Sequence, residues 1–165
     1  YLAGPWEKPD QARIRSLGLN FTSIQVTKAE ELWAALADAV KHRRPLVMFN
    51  WTPNWVEARF EGRFVEFPPW EEACERDPAW GLNPVFLYDC GNPKDGWLKK
   101  AASAEMEANW ECAFRALNNI NFNNKMLSHL AALVDFDGLS HEQAAALWLA
   151  DNTPLWESWI PYDCY

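Results

Sequence analysis

The sequence predicts an α/β fold with a small parallel sheet, and three observations support this fold class. Strand-like segments alternate with helix-like segments in the first half of the chain. The second half, by contrast, has the apolar spacing of successive helices and little strand pattern. With 165 residues, 49% of them hydrophobic, the chain is long enough and apolar enough to form a core.

The first two helices are predicted from their boundaries. Asp10 to Leu17 has apolar positions at helical spacing and is stopped by Gly18. The segment 20–26 then alternates like a strand. Thr27 and Glu30 have the spacing of a capping box, which predicts a helix from there to about Lys41. The residues of that helix expected to be buried are Leu32, Trp33, Leu36 and Val40.

A second strand and helix follow directly. Leu46 to Phe49 is a continuous apolar strand, and Pro53 at a first helical position predicts a helix through about Phe60. A short strand is expected at Phe64 to Phe67. Because a sheet of two or three strands is small, we expect this chain to belong to a fold whose other strands lie upstream.

The second half is predicted to be helical. Ser140 and Gln143 form another capping box, and Thr153-Pro154 opens a final short helix. The other helices are expected at 103–118, 123–134 and 140–150. The change of pattern predicts two lobes, residues 1–95 and residues 96–165, which meet between residues 90 and 105.

Charge and motifs exclude several classes of function. The net charge is -8 and the largest basic cluster is Lys41-His42-Arg43-Arg44, so no nucleic-acid partner is expected. The apolar runs are too short for a membrane span, and no signal-peptide pattern opens the chain. There is no G-x-S-x-G elbow and no glycine-rich nucleotide loop, so neither nucleophilic catalysis nor a nucleotide cofactor is indicated.

The four cysteines allow three pairings, which the sequence alone does not decide. We favour Cys74 with Cys90, because they enclose a loop rich in turn formers, and this choice pairs Cys112 with Cys164. Zinc binding would need a close pair such as C-x-x-C, which is absent. Disulfides imply an oxidising compartment, either periplasmic or extracellular.

The acidic residues allow two further interpretations of function, a calcium site and glycoside hydrolysis. Five loop residues carry oxygens that could bind calcium: Asp77, Asn83, Asp89, Asn92 and Asp95. Ordinary turn formation explains these residues better. Paired carboxylates, Glu57 with Glu61 or Glu71 with Glu72, suit glycoside hydrolysis, in which a Trp-lined cleft would stack on sugars. The alternative function is therefore a carbohydrate-binding or glycoside-hydrolysing protein.

Among the eleven tryptophans, Trp51 and Trp55 stand out in the segment Phe49-Asn50-Trp51-Thr52-Pro53-Asn54-Trp55. A Trp ring is the best side-chain face for a cation. Trp51 follows a predicted strand, where open α/β sheets bind ligands, and the helix after Pro53 is expected to direct free amides to the same place. A ring for a cation beside amides for an anion suits a zwitterion.

Residues 45–55 resemble the strand ending in W-x-P-H-W of a family, the substrate-binding proteins of ABC importers for glycine betaine, choline and related methylated amines. Arg59 to Glu66 and the segments 117–134, 140–148 and 156–160 are similar to the family as well. The resemblance covers most of this chain but only about the latter half of a family member. It implies a two-lobed periplasmic-binding-protein fold, no catalysis, and three partners: a methylated amine, the transporter's membrane subunits and the missing N-terminal half.

The resemblance also implies roles for individual residues. Trp51 matches the family's cage Trp, Phe122 falls where many members place another, and Trp6 lies where relatives place an aromatic facing the pocket. Asn54 replaces the usual His, and its amide can still donate a hydrogen bond. Trp55 either lines the pocket or packs beneath it.

The segment from Trp80 to Lys100 looks like an insertion of the branch that binds trimethylamine N-oxide, which we therefore rank above glycine betaine and choline. If the oxygen of that ligand is protonated, Glu7 is the expected acceptor. No cofactor is expected. Four tryptophans are at core spacing and are expected to be structural: Trp33, Trp148, Trp156 and Trp159. Trp110 is left unassigned.

Overall fold

A computed structural model describes residues 1–6, 8–94 and 98–164. The chain forms two compact units, which are described separately: Tyr1–Asn50 with Phe64–Gly96, and Trp51–Arg63 with Trp97–Tyr165. Residues 51–63 therefore belong to the second unit, whereas the sequence placed them with the first. The division into lobes at residues 95 and 96 stays a prediction.

The sheet of the first unit is parallel and small, in agreement with the predicted class. Strand β1 (Leu2–Ala3) pairs with β2 (Ile24–Gln25), with Leu2 opposite Ile24. Met48 adds a parallel bridge to Leu2 on the other side, so β1 lies between the other two segments. Residues 46–49 make only this bridge instead of the predicted strand, and 64–67 are not a strand among the described residues.

Two helices cover this part of the chain. Helix α1 (Asp10–Ser16) ends as predicted before Gly18, whose φ of 61° suits glycine. Helix α2 spans Ala29–Lys41, but its predicted capping box is wrong. Lys28 is the N-cap and caps nothing with its side chain, while the Thr27 hydroxyl donates to the Glu31 carboxylate instead.

Helix α2 also buries a different set of side chains from the predicted one. Leu32 is fully buried as expected, but Val40 is 50% exposed and Ala39 is buried in its place. Two positions seven residues apart lie on nearly the same side of a helix, since seven residues are close to two turns. The buried stripe therefore follows Leu32 and Ala39, one position earlier than the predicted end.

The segment 64–94 is held on α1 by the buried guanidinium of Arg13. Its Nε donates to the Cys90 carbonyl at 2.7 Å, and its Nη2 donates to Asn92 Oδ1 at 3.0 Å. Asp10 lies 3.6 Å from Nη1, and the Phe67 ring lies below the guanidinium at 5.5 Å. Burial lowers the pKa of Arg13, and the charge of Asp10 opposes that effect.

The favoured cysteine pairing is confirmed by the structure. Cys74 and Cys90 are bonded, with Cα atoms 6.3 Å apart, and both residues are buried. The loop they close also bonds α1, because the Ser16 hydroxyl donates to the Leu87 carbonyl and Asn83 Nδ2 donates to the Ser16 carbonyl at 3.2 Å. The loop is thus fixed by a covalent bond and by several hydrogen bonds to one helix.

The described part of the second unit is helical: α3 (Val56–Arg59), α4 (Met106–Asn109), α5 (Glu111–Asn119), α6 (Asn124–Asp135), α7 (His141–Asp151) and α8 (Thr153–Glu157). The predicted helix over 103–118 is interrupted at Trp110, which has φ -144° and ψ 61°. The Ser140 capping box is confirmed, with Gln143 N donating to Ser140 Oγ at 3.2 Å. None of the described helices has the length and apolarity needed to cross a membrane.

The C-terminal end of the second unit is tied to α5. Cys112 and Cys164 are bonded, with Cα atoms 5.6 Å apart. Beside this disulfide, Arg115 donates two hydrogen bonds to the Asp163 carboxylate, at 2.8 and 2.9 Å. This pairing lowers the pKa of Asp163 and raises that of Arg115.

Replacing Arg13 by Met should lower the free energy of unfolding by about 3 kcal/mol, because several buried acceptors lose their donor. Chemical denaturation monitored by Trp fluorescence measures this change. Arg15→Met is the matched control, since Arg15 is exposed and its guanidinium lies over the Phe86 ring at 5.2 Å. This change should cost less than about 1 kcal/mol. Equal losses for the two variants would contradict the role given to Arg13.

Stability should depend on pH through Asp163. Because its pKa is lowered in the folded state, its contribution is complete above the unfolded pKa of about 3.9 and is lost as pH falls through the folded value. The Tm difference between the native chain and Asp163→Asn should therefore be largest near neutral pH and shrink in acid. Asp151→Asn, at an exposed helix end, is the control. A difference that stays constant down to acid pH would contradict this account.

Candidate functional site

The segment Trp51 to Trp55 forms a tight turn at the start of the second unit. The Trp51 side chain is 38% exposed, and the Thr52–Pro53 peptide bond is cis. Thr52 Oγ1 donates to Glu57 Oε1 at 2.7 Å, which links the turn to the first residues of α3. The turn therefore carries a partly exposed indole and is linked to α3 by a hydrogen bond between two side chains.

Asn54 lies inside this turn and is only 4% exposed. Its backbone N–H donates to Ser128 Oγ on α6 at 3.2 Å, and its Oδ1 accepts from Val56 N at 3.3 Å. Because Val56 N is a donor, the amide atom facing it must be the oxygen, and this fixes the orientation of the side chain. Its Nδ2 is buried and has no hydrogen-bond partner among the residues that the structure describes.

The prediction of free helical amides at this turn is wrong. Helix α3 has four residues and begins at Val56, three positions after Pro53. The nearby backbone amides are used within the chain: Asn54 N by Ser128, Val56 N by the Asn54 side chain and Glu57 N by the Asn54 carbonyl at 3.2 Å. Of the described side-chain donors in this turn, the buried amide of Asn54 has no hydrogen-bond partner.

Trp55 points into the core of the second unit and is only 8% exposed. Its ring lies 5.4 Å from that of Phe136 and 6.0 Å from that of Phe60. The Arg59 guanidinium lies over Phe136 at 5.6 Å and pairs with Asp137. Of the two roles left open by the sequence, this burial favours packing beneath the turn.

Phe122 belongs to an aromatic cluster with Trp148 and Trp159. Its ring lies 5.2 Å from each of them, and the two indoles stack at 6.0 Å with an interplanar angle of 17°. Trp148 is buried on α7. Lys100 Nζ donates to the Asn118 carbonyl at 2.6 Å and to the Ile120 carbonyl at 2.7 Å, so it fixes the backbone just before Phe122.

Trp6 lies in the first unit and is 40% exposed. Its ring lies 5.7 Å from that of Phe49, and it covers Gly4 so closely that a Cβ at that position would collide with the indole. Gly4 therefore permits this placement of the ring. The predicted acceptor Glu7 lies outside the described residues.

Most of the described residues considered for calcium have structural partners. Asp89 differs, because its Oδ2 accepts from Asn83 N at 2.9 Å but its Oδ1 is buried without a hydrogen-bond partner among the described residues. Asp77 Oδ1 accepts from Ala79 N at 2.9 Å and Asn83 Oδ1 accepts from Val85 N at 3.1 Å, which are turn contacts. Asn92 accepts from Arg13, and Asp95 lies outside the described residues. Within the described ranges, no three His, Cys, Asp or Glu side chains are grouped so that they could hold a metal ion.

Two of the four carboxylates considered for glycoside hydrolysis, Glu57 and Glu72, have local partners. Glu57 accepts from Thr52, and Glu72 pairs with Arg76 at 2.6 Å across one turn on the surface. These contacts fit a role in stabilising a turn and a short helix.

The sequence did not single out Ser128 or Asn50. Ser128 has no local motif, and its contact with Asn54 joins residues 74 positions apart. Asn50 Oδ1 is a buried acceptor without a partner among the described residues, directly before Trp51. The proximity of Asn50 to the tryptophan motif was the one available signal.

Comparison with known proteins gives a consistent result. The family described as the substrate binding domain of ABC-type glycine betaine transport system matches residues 5–151. The trimethylamine N-oxide-binding protein of Pelagibacter ubique is 37% identical over 147 residues, 87% of this chain and 44% of that protein. The glycine betaine/carnitine transport binding protein GbuC of Listeria monocytogenes is 22% identical over 136 residues, 82% of this chain and 38% of that protein.

A solved structure supports the fold. Lactococcal OpuAC in its closed conformation with glycine betaine has a TM-score of 0.53 and 14% identity, covering 97% of this chain and 57% of that one. The predicted fold class is confirmed, since this neighbour is a two-lobed binding protein and the chain is a helix-rich α/β structure with a small parallel sheet. The chain spans less than half the length of the two curated relatives.

The different burial of Trp51 and Trp55 predicts different effects on stability. Trp55→Ala should lower the free energy of unfolding by about 3 to 5 kcal/mol, because it leaves a cavity beside Phe60 and Phe136. Trp51→Ala should lower it by less than Trp55→Ala does, because 38% of Trp51 is already exposed to water. Urea denaturation monitored by circular dichroism measures both. Similar losses for the two variants would contradict the packing described for Trp55.

Proposed function

Because this chain belongs to the family of substrate-binding domains of ABC-type glycine betaine transport systems, we propose that its protein captures a small methylated amine for an ABC importer. The resemblance seen at residues 45–55 is confirmed by that membership. The family is one of transport proteins rather than enzymes, and we propose capture without catalysis in the periplasm. The proposed partners are the importer's membrane subunits and the remainder of the same protein.

The ligand we propose is trimethylamine N-oxide, in preference to glycine betaine or choline. Its trimethylated nitrogen forms no hydrogen bonds and suits an aromatic face such as that of Trp51, which contributes about 0.5 to 2 kcal/mol as water is excluded. Its one oxygen is a strong acceptor that needs a donor. The side-chain amide of Asn54, three residues from Trp51, is a donor without a partner in the described structure.

The unpartnered amide of Asn54 is the observation that carries this proposal. A buried donor that lacks a hydrogen bond costs about 1 to 3 kcal/mol, so such groups are rare unless a ligand or a water completes them. An N-oxide oxygen reaching Nδ2 would remove that cost on binding. The donor would then count toward affinity only when the ligand carries an acceptor.

The chemistry of the three ligands differs at that position. Glycine betaine carries a carboxylate with two oxygens and a full negative charge, which one neutral amide satisfies poorly. Choline carries a hydroxyl, a weaker acceptor than an N-oxide. The relatives' names point the same way, since the trimethylamine N-oxide-binding protein is 37% identical and the glycine betaine/carnitine protein 22% identical.

The other residues expected to bind ligand have less support. Trp55 is buried and is proposed to support the turn from below. Phe122 packs against Trp148 and Trp159, so its contribution depends on how much of its ring the ligand reaches. Trp6 and Glu7 stay predictions that substitution would test one at a time.

Isothermal titration tests the proposed function. The 165-residue chain is titrated with trimethylamine N-oxide, glycine betaine, choline and maltotriose. Because the chain spans 44% of the Pelagibacter relative, the same series is run on a chimera in which it replaces the segment it matches. We expect the tightest binding with trimethylamine N-oxide. Binding of maltotriose with no response to any methylated amine, in either protein, would overturn the proposal.

Replacing Trp51 by Ala should weaken the binding of trimethylamine N-oxide about tenfold or more, the loss expected for one cation-holding ring. Titration calorimetry of the same two proteins measures it. Trp110→Ala is the matched control, because Trp110 is an exposed indole of the same unit that carries no proposed role. An unchanged dissociation constant for Trp51→Ala would exclude that ring from the site.

A further inference from the structure

Ser128 is a buried polar residue on α6, whose other buried residues are apolar. It is only 3% exposed, and the next residues buried on the same helix are Ala132 and Leu133. A serine has no advantage over alanine at such a position for helix formation or for packing. Its hydroxyl oxygen accepts the backbone N–H of Asn54 at 3.2 Å, a bond across 74 residues of chain.

This hydrogen bond acts on the residue whose side chain carries the unpartnered donor. Ser128 fixes the backbone of Asn54, while the bond from Val56 N to Oδ1 at 3.3 Å fixes its side chain. Together the two bonds determine where Nδ2 lies and which way it points. Without the hydroxyl, Asn54 N would be a second buried donor without a partner, and the turn would shift to satisfy it.

We propose that Ser128 is a positioning residue that sets selectivity for an oxygen acceptor by holding the Asn54 amide in place, which rests on the proposed function. Ser128 is not assigned any contact with the ligand. It acts through Asn54 alone, so its removal affects the part of binding that depends on a hydrogen bond. Any movement of Trp51 with the turn would affect all methylated cations alike, whereas loss of the aligned Asn54 amide affects only ligands that carry an acceptor.

Tetramethylammonium separates these two parts of binding. It has four methyl groups on nitrogen and no acceptor, so it reports ring contacts only. Trimethylamine N-oxide has three methyl groups and one acceptor oxygen. The ratio of the two dissociation constants therefore measures how well the Asn54 amide is aligned, independently of overall stability.

The variants Ser128→Thr and Ser128→Val have the same shape and differ by the hydroxyl. Ser128→Val should weaken trimethylamine N-oxide about tenfold relative to tetramethylammonium, the loss expected for one aligned hydrogen bond. Ser128→Thr should keep most of the native ratio. Ser128→Ala also removes the hydroxyl and adds no volume. It replaces these two variants if the extra methyl group of Val or Thr prevents folding.

Ser140→Ala is the control for a purely structural effect. It removes the N-cap of α7 and should lower Tm without changing the ratio of dissociation constants. All variants are measured by calorimetry in the 165-residue chain and in the chimera.

Two negative outcomes are distinguishable. If the native protein binds neither ligand in either form, the proposed function fails and this inference fails with it. If the native protein prefers trimethylamine N-oxide and Ser128→Val and Ser128→Ala keep that preference, the inference alone is overturned. A change in Tm that leaves the ratio unchanged would likewise make Ser128 a structural residue only.

Discussion

The hydrogen bond from Asn54 N to Ser128 Oγ is the contact on which the described site depends. It joins the turn that carries Trp51 to α6, and it lies in a buried setting where losing it leaves a donor unpaired. Helix α3 is only four residues long and cannot hold this turn by itself. Around the same bond, Trp55 packs on Phe60 and Phe136, so one polar contact and one apolar cluster fix the turn together.

The first unit also consists of short secondary-structure elements, and other contacts stabilise it. Its strands have two residues each and α1 has seven, and neither kind of element is stable in isolation. The Cys74–Cys90 disulfide and the buried Arg13 attach a long segment without regular structure to α1. In both units, contacts between distant parts of the chain compensate for short secondary structure.

The sequence predicted those features whose causes are local. The Ser140 capping box depends on residues three positions apart and was correct, as was the end of α1 before Gly18. Strand β1 was missed because two apolar residues show no alternation. The start of α3 was misplaced because Pro53 lies in the turn before the helix and does not open it.

The candidate site was predictable in part. The resemblance directed attention to Trp51 and Asn54, but no periodicity distinguishes an exposed Trp51 from a buried Trp55 four positions later. The burial of Trp55 depends on α6, which lies about seventy residues further along the chain. For the same reason nothing in the sequence marked Ser128, whose importance comes entirely from its distant partner.

The most direct measurement of the central claim is the NMR signal of the Asn54 side-chain amide. Its protons, assigned with an Asn54→Ala variant, are followed while trimethylamine N-oxide or tetramethylammonium is added to the ¹⁵N-labelled chain and to the chimera. A hydrogen bond to an N-oxide should move one Asn54 Nδ2 proton strongly downfield, and tetramethylammonium should not. An Asn54 signal that stays in place at saturating trimethylamine N-oxide would contradict the account.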